Sequence, residues 1–283
     1  MIPFTKMNGA GNDFIVLDHR HEKFAEGSLK DIAISVCRRR FGLGADGLLL
    51  IELPKTDTDF TMRIFNADGS EGEMCGNGAR CIARYAYEKG IAKEHMVFDT
   101  LAGKVEAAVK GSEVAIKLND PSIVEKKKNI FIDKALTCIY IELGDPGVPH
   151  VVVPFNGLTD TPLTELLVLG RQLRYHQGFP KGTNVNFYEK LEDDHVLVRT
   201  YERGVEDITM ACGTGAASVA IALVLEGIMK GPKIKILTLG GVLEITIGQF
   251  VPRVQHIYLK GHTAFVAEGK ILDEGLRKIE ERW

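Results

Sequence analysis

The chain has 283 residues, 35 Lys and Arg against 38 Asp and Glu, and 45% hydrophobic residues, a length that favours two domains at roughly 100–200 residues each. A net charge of −3 and a pI near 6.3 exclude the basic footprint of a nucleic-acid or anionic-membrane binder, and the longest apolar runs, such as Ala216 to Leu225, stop at about ten residues, too few to span a bilayer. Lys6, Asn8 and Asp13 interrupt the opening segment as no signal peptide allows, and five cysteines, an odd number, point to a reducing cytoplasm rather than a disulfide framework.

In chain order, Phe14 to Asp18 and Gly47 to Leu53 are short apolar runs bounded by turn residues and read as strands. Between them Leu29 to Arg40 reads as a helix with Ile32, Val36 and Cys37 on its apolar face and Arg38 to Arg40 in the last turn. Gly76 to Lys89 and the Ala-rich Gly213 to Glu226 read as further helices. Strands are expected at Val97–Leu101, Val114–Leu118, Val151–Val153, Val196–Tyr201, Leu243–Ile247 and His256–Lys260. Pro121 and the lysines 126–128 mark a polar break, read as a solvated loop. Lys270 to Trp283 puts Leu272, Leu276 and Ile279 on one face and reads as an amphipathic helix.

The strongest internal signal is a long repeat. Cys75-Gly76-Asn77-Gly78-Ala79 is echoed by Cys212-Gly213-Thr214-Gly215-Ala216, and at the same offset Ala83 meets Ala220 and Gly90 meets Gly227. One inserted residue then aligns Thr100, Leu101, Gly103 and Glu106 with Thr238, Leu239, Gly241 and Glu244. A looser echo pairs Gly11-Asn12-Asp13-Phe14 with Asn184-Val185-Asn186-Phe187. One period of half the chain implies a duplicated domain, with boundaries near 1–119 and 120–262 and the tail, 263–283, packing back on the first half.

Duplication delivers one cysteine per half, each before a Gly-x-Gly turn that opens a helix. Unpaired backbone N–H groups there favour a thiolate and accept a carboxylate. Two such halves about a pseudo-twofold axis would bring a thiol to each face of a small carboxylate ligand. That arrangement suits removal of a proton next to the carboxylate on one side and its return from the other. Competing motifs are weaker. Gly42-x-Gly44-x-x-Gly47 spells a dinucleotide fingerprint but has a helix before it and a strand after it, the reverse of the required order. Gly213-x-Gly215 lacks the third glycine, leaving a phosphate site as a weaker alternative. No C-x-x-C and no helical His pair with an acid supports a metal site. A nucleophilic cysteine with His150 would suggest acyl transfer, but leaves the matching second cysteine unexplained. Cys37, Cys81 and Cys138 read as buried structural thiols.

Six blocks resemble those of diaminopimelate epimerases: Lys6 to Phe14 (KMNGAGNDF), Phe65 to Ser70 (FNADGS), Met74 to Cys81 (MCGNGARC), Gly182 to Phe187 (GTNVNF), Tyr201 to Gly204 (YERG) and Ala211 to Gly215 (ACGTG). The resemblance implies a mixed α/β (α+β) fold of two pseudo-twofold-related domains, each a curved β-sheet or barrel around a central helix. It implies an isomerase that interconverts LL- and meso-2,6-diaminopimelate on the route to lysine and peptidoglycan, with no metal and no other cofactor, in a cytoplasmic homodimer. Cys75 would align with the proton donor and Cys212 with the acceptor. Gly76, Asn77, Gly213 and Thr214 would hold the reacting-centre carboxylate, and Asn12, Asn66, Asn184, Glu202 and Arg203 the remaining polar groups. Arg203 has a fork suited to a planar carboxylate, and Glu202 and His150 would tune the thiols. Two departures stand out. Many members read Gly-Asn-Pro-His where this chain has Gly147-Val148-Pro149-His150, and a Gln that some place after Ala-Asp is Gly47 here. Both remove side-chain bonds to the distal end of the substrate, so a related racemase with another amino acid is the alternative. A non-catalytic binder of carboxylate or phosphate at the helix N-termini is a third reading. Two facing thiols would also make the site sensitive to oxidation.

Overall fold

In β1 (Ile2–Gly9) Thr5, Met7 and Gly9 are buried in alternation, as in a strand with a covered face, while Ile2 is buried on the opposite face with the cluster that holds Leu29, Ile32 and Val36. The computed structural model describes residues 1–21, 24–133, 135–191 and 194–276. These fall into two compact units, Met1–Ile116 with the segment from Gly261 onward, and Lys117–Lys260.

The first unit turns at Ala10 and Gly11, both at positive φ, into β2 (Asn12–Asp18). Helix α1 (Leu29–Cys37) follows, burying Leu29, Ile32, Ala33, Val36 and Cys37, a helical stripe. Next come β3 (Gly47–Glu52), β4 (Phe60–Asn66), the short β5 (Glu71–Gly72), α2 (Gly76–Glu88), β6 (His95–Thr100), β7 (Gly103–Lys110) and β8 (Glu113–Leu118). β1 pairs antiparallel with β2, β2 parallel with β3, β3 antiparallel with β4, β4 parallel with β6, and β6, β7 and β8 form an antiparallel meander. The final strand of the chain pairs with both β1 and β8, which closes eight strands into a barrel. Helix α2 packs against β1, β2, β3, β4 and β7 and runs inside that ring. The run Gly47-Leu48-Leu49-Leu50-Ile51 is apolar throughout because both faces are covered. Leu48 and Leu50 join the cluster under α1, whereas Leu49 lies against α2 at Gly78.

The second unit contains β9 (Pro121–Phe131), β10 (Ala135–Leu143), β11 (Val148–Pro154), α3 (Leu163–Arg174), β12 (Asn184–Lys190), β13 (His195–Glu202), β14 (Asp207–Thr209), α4 (Gly213–Leu225), β15 (Lys233–Thr238), β16 (Gly241–Gln249) and the start of β17 (Gln255–Ile271). The pairing order of the first unit recurs. β10 is antiparallel to β11, β11 parallel to β12, β12 antiparallel to β13, β13 parallel to β15, and β15 antiparallel to β16. Helix α3 takes the place of α1 on a core that includes Val151, Val153, Val185 and Phe187. Helix α4 takes the place of α2, and Gly215 to Leu223 are buried all round it. Both central helices end alike. Gly90 and Gly227 adopt positive φ, and the following residues donate back to Ala86 and Leu223.

Three expectations need correction. Lys126–Lys128 are not a loop but part of β9, where Lys127 has positive φ and the register with β10 slips. Lys128 reaches over the Tyr140 and Phe179 rings. Lys270 and Ile271 end β17 and Asp273–Leu276 form a 3-10 turn, while the rest of the expected C-terminal helix, 277–283, lies outside the described residues. The looser echo of Gly11–Phe14 with Asn184–Phe187 is also out of register. Phe14 pairs with Gly47 where His150 pairs with Asn184, so the counterpart of Asn184 is Gly47 and that of Asn12 is Val148.

Candidate active site

Each unit presents a thiol as the N-cap of its central helix. Cys75 has extended backbone angles (φ −137°, ψ 121°) and its carbonyl accepts from Ala79 N–H at 2.7 Å. Cys212 has φ −114° and ψ 113°, and its carbonyl accepts from Ala216 N–H at 2.9 Å. Both helices therefore open at a Gly-x-Gly turn, where the first-turn N–H groups have no intrahelical carbonyl to donate to. Cys75 is half-buried and Cys212 8% exposed.

In the second unit the Cys212 Sγ accepts from Gly215 N–H at 3.4 Å and lies 3.5 Å from Thr214 Oγ1. The Glu202 carboxylate stands beside it, bonded to both Cys212 and Thr209. Burial raises the Glu202 carboxyl above its ordinary range, against the pull of those two bonds. Asn184 is buried and spent on the scaffold. Its Nδ2 donates to Pro149 O at 3.0 Å and its Oδ1 accepts from Arg203 N–H at 2.8 Å, which sets the turn that carries Arg203. The Arg203 guanidinium donates to Lys181 O at 3.1 Å and is otherwise half-exposed.

His150 is wholly buried, and burial, reinforced by the charge of Arg203, pushes its imidazole down to about 3. Its neighbour Asn186, also wholly buried, decides the tautomer. Asn186 Nδ2 donates to the Val151 carbonyl at 3.0 Å, an acceptor that fixes the amide orientation, and Oδ1 accepts from Thr200 at 3.0 Å. The same Nδ2 meets His150 Nδ1 at 3.3 Å, so Nδ1 must accept and the proton sits on Nε2. His150 Nε2 has no hydrogen-bond partner among the described residues. Asn186 also presses on the helix terminus. A Cβ at Gly215 would come 2.3 Å from its Oδ1, so only glycine fits there.

In the first unit a relay of side-chain amides runs up to α2. Arg80 Nη2 donates to Asn77 Oδ1 at 2.8 Å, Asn77 Nδ2 donates to Asn12 Oδ1, and Asn12 Nδ2 donates to Asp46 Oδ2 at 3.0 Å. An arginine only donates and a carboxylate only accepts, so the two ends fix both amide orientations between them. Asp46 is held by Arg39, and Asp13 by Arg39 and Lys6. Burial works against the Asp13 carboxylate, but those bonds hold it below its ordinary range. Asn66 stands apart, exposed at the end of β4, with Nδ2 donating to Ser70 Oγ at 2.9 Å across a turn whose Gly69 has positive φ.

The register equivalences explain the two departures noted in the sequence. The paired positions read Asn12 and Gly47 in the first unit, Val148 and Asn184 in the second, so each unit keeps one amide and drops the other. No side chain fits at Gly47, where a Cβ would lie 2.9 Å from the Phe65 carbonyl and 3.4 Å from the Phe14 ring. Asn66 likewise corresponds to Glu202: Asn66 pairs with Gly47, and the Val185–Tyr201 register extended by one residue sets Glu202 against Asn184. Asp46 and Thr209 lie outside the six blocks, whereas Arg80 and Asn186 lie inside two of them, Met74–Cys81 and Gly182–Phe187, without a role assigned from sequence. Among the described residues no group of three His, Cys, Asp or Glu side chains is placed to hold a metal ion, and no helix is long and apolar enough to cross a membrane.

The family model for diaminopimelate epimerase matches residues 4–124 and 144–266. A diaminopimelate epimerase of Aquifex aeolicus is 42% identical over 96% of this chain and 99% of its own length, and that of Archaeoglobus fulgidus 38% identical over 95% of each. Among solved structures, a Bacillus anthracis phenazine biosynthesis protein of the PhzF family superposes with a TM-score of 0.73 at 15% identity, covering 96% of this chain and 99% of its own. A hydroxyproline epimerase from Agrobacterium vitis superposes with a TM-score of 0.70 at 17% identity, covering 95% and 92%. These structural likenesses establish the shared mixed α/β, two-domain fold.

Proposed function

This chain belongs to the diaminopimelate epimerase family, and on that premise we propose that it interconverts LL- and meso-2,6-diaminopimelate, one of Cys75 and Cys212 removing the α-proton and the other delivering its own proton to the opposite face. The observation that carries this reading is the repeated thiol. Each unit caps its buried central helix with a cysteine in the same backbone conformation and the same pairing frame. In one direction the thiolate of Cys212 takes the proton from the α-carbon, and the C–H electron pair spreads onto the substrate carboxylate. The first-turn N–H groups at Gly76, Asn77, Gly213 and Thr214 meet that growing charge. The Cys75 thiol then gives its proton to the opposite face, and the roles exchange for the reverse reaction. Two thiols and backbone donors balance every proton and electron of this exchange, so the chemistry calls for no cofactor.

Glu202, bonded to Cys212, would tune that thiol, and the neutral His150 would do so through its Nε2–H. Asn12, Asn66 and Arg203 would bind the substrate's distal groups, and Asn184 would act chiefly by holding Arg203 in place. The reading extends to a cytoplasmic homodimer serving lysine and peptidoglycan precursor synthesis. Proton NMR with LL-diaminopimelate in D₂O, with EDTA present, tests it. Loss of the α-proton signal with growth of the meso isomer is expected, and Cys75→Ala and Cys212→Ala should each abolish it while staying folded. Normal turnover in either variant would refute the two-thiol scheme. Exchange with another amino acid but none with diaminopimelate would favour the second reading, a related racemase, which the loss of an amide at Val148 and at Gly47 supports.

A further inference from the structure

Helix α2 carries a buried cation at the end where a helix favours an anion. Arg80 is 0% exposed. Its side chain turns back toward the helix N-terminus, as helical side chains do. Nη1 donates to the Gly76 carbonyl at 3.3 Å and Nη2 to Asn77 Oδ1 at 2.8 Å, which places the guanidinium one residue from Cys75. Nε has no hydrogen-bond partner among the described residues. Among the described residues no carboxylate bonds to it, and the acidic groups that act on it are the thiols of Cys81 and Cys75. Arginine keeps its charge in any protein environment. Desolvation, the positive helix terminus and the lack of a carboxylate partner all therefore count against this residue as a purely structural one.

Of these two thiols, Cys81 is fully buried and burial pushes it up to about 12, which keeps it neutral. Cys75 is half-buried, so it is the group that can carry the compensating negative charge. Other charges near this turn are few. Arg84 lies one turn further along α2, and the strands packed on the helix at Gly78 offer Leu49, Met62 and Ile64. Asp46, at the far end of the amide relay, is already held by Arg39.

We propose that Arg80 is a positioning residue with two effects: its charge holds Cys75 in the thiolate form, and its fork fixes Asn77 so that the amide relay presents Asn12 in a single orientation. The first effect rests on the acid–base role given to Cys75 above, yet it is read without any substrate. The assay is the pH dependence of iodoacetamide alkylation, measured by mass spectrometry at the Cys75 and Cys212 peptides of the whole protein. In the unaltered protein Cys75 should titrate below the ordinary thiol value of about 8.5. A midpoint at or above that value would overturn the proposal whether or not any variant folds. In Arg80→Met the Cys75 midpoint should rise by about one unit or more, a tenfold loss of thiolate at neutral pH, with Cys212 unmoved. An unchanged midpoint, or an equal rise at both thiols, would overturn it, the latter because general loosening moves both. Arg80→Lys keeps the charge but loses the fork. It should leave the midpoint within about half a unit while kcat/KM falls, since one ammonium cannot hold both Gly76 and Asn77. A Lys variant that shifts as far as Met would overturn the role of the charge. Failure of the epimerase assay alone would leave these midpoints as predicted and count only against the substrate.

Discussion

Because His150 is held neutral in the folded chain, it should make the protein acid-labile in a measurable way. Its folded value of about 3 lies below the ordinary 6.5 of an unfolded histidine. Below pH 6.5 the unfolded chain therefore binds a proton that the native state refuses, and stability is lost as pH falls. The two values imply a contribution about 2.5 kcal/mol less favourable at pH 4.5 than at pH 7.0, at about 1.4 kcal/mol per unit. His150→Asn removes the titration while offering Oδ1 where Nδ1 accepted from Asn186. Urea unfolding of both proteins at several pH values from 4.5 to 7.5 reads the difference. The variant starts from a lower stability, because it leaves space where the ring packed, so the slopes rather than the absolute values carry the test. Carboxylates held low in the native state, such as Asp13, act alike in both proteins and cancel. Parallel curves for the two proteins would refute the neutral, buried imidazole.

Three further outcomes follow from the same cluster. Asn186→Asp replaces a donor with an acceptor at His150 Nδ1, and long-range ¹⁵N–¹H NMR should show the ring proton moving from Nε2 to Nδ1, with turnover falling; a wild-type ring already protonated on Nδ1 would refute the tautomer. Gly215→Ala should cost about 1–3 kcal/mol in urea unfolding despite alanine's better helix propensity, because its Cβ meets Asn186 Oδ1 at 2.3 Å; a neutral or stabilising result would show that the amide can retreat. Glu202 has a raised folded value, so its stabilising share is complete at low pH and is lost as pH rises through that value. Glu202→Gln should flatten this loss and, by removing a negative charge beside the thiol, lower the pH at which Cys212 is alkylated, and an unaltered stability–pH curve together with an unaltered Cys212 profile would refute it.

The paired thiols were legible because a helix start leaves a local mark: a cap residue and two glycines suffice, and the mark occurs twice. The strand at Gly47 was legible because a continuous apolar run needs cover on both sides, which α1 and α2 provide. Charged residues misled. Lys126–Lys128 look like a loop, yet an exposed strand also tolerates lysines, and Lys128 sets its ammonium over two aromatic rings. Arg80 looks like any solvated helix charge, since nothing in its neighbours along the chain reveals that its face of α2 is enclosed by strands distant in sequence. The echo of Gly11–Phe14 with Asn184–Phe187 misled for another reason. Both blocks carry an amide at the start of a strand, but only pairing register shows that they belong to different strands of the repeat.

β17 runs across the division between the units, and its last part pairs with β1 at the opposite end of the chain, Ile2 against Ile271. During synthesis the first unit therefore has most of its strands long before it has its last one. Until the residues from Gly261 onward emerge, the strand meant for the place between β8 and β1 is missing, and both keep an open hydrogen-bonding edge. The second unit is translated in the meantime, which at ~5–20 residues per second takes roughly seven to thirty seconds. The half that begins the polypeptide is thus the half that finishes folding last, and its exposed edges are where a nascent-chain chaperone would be needed most.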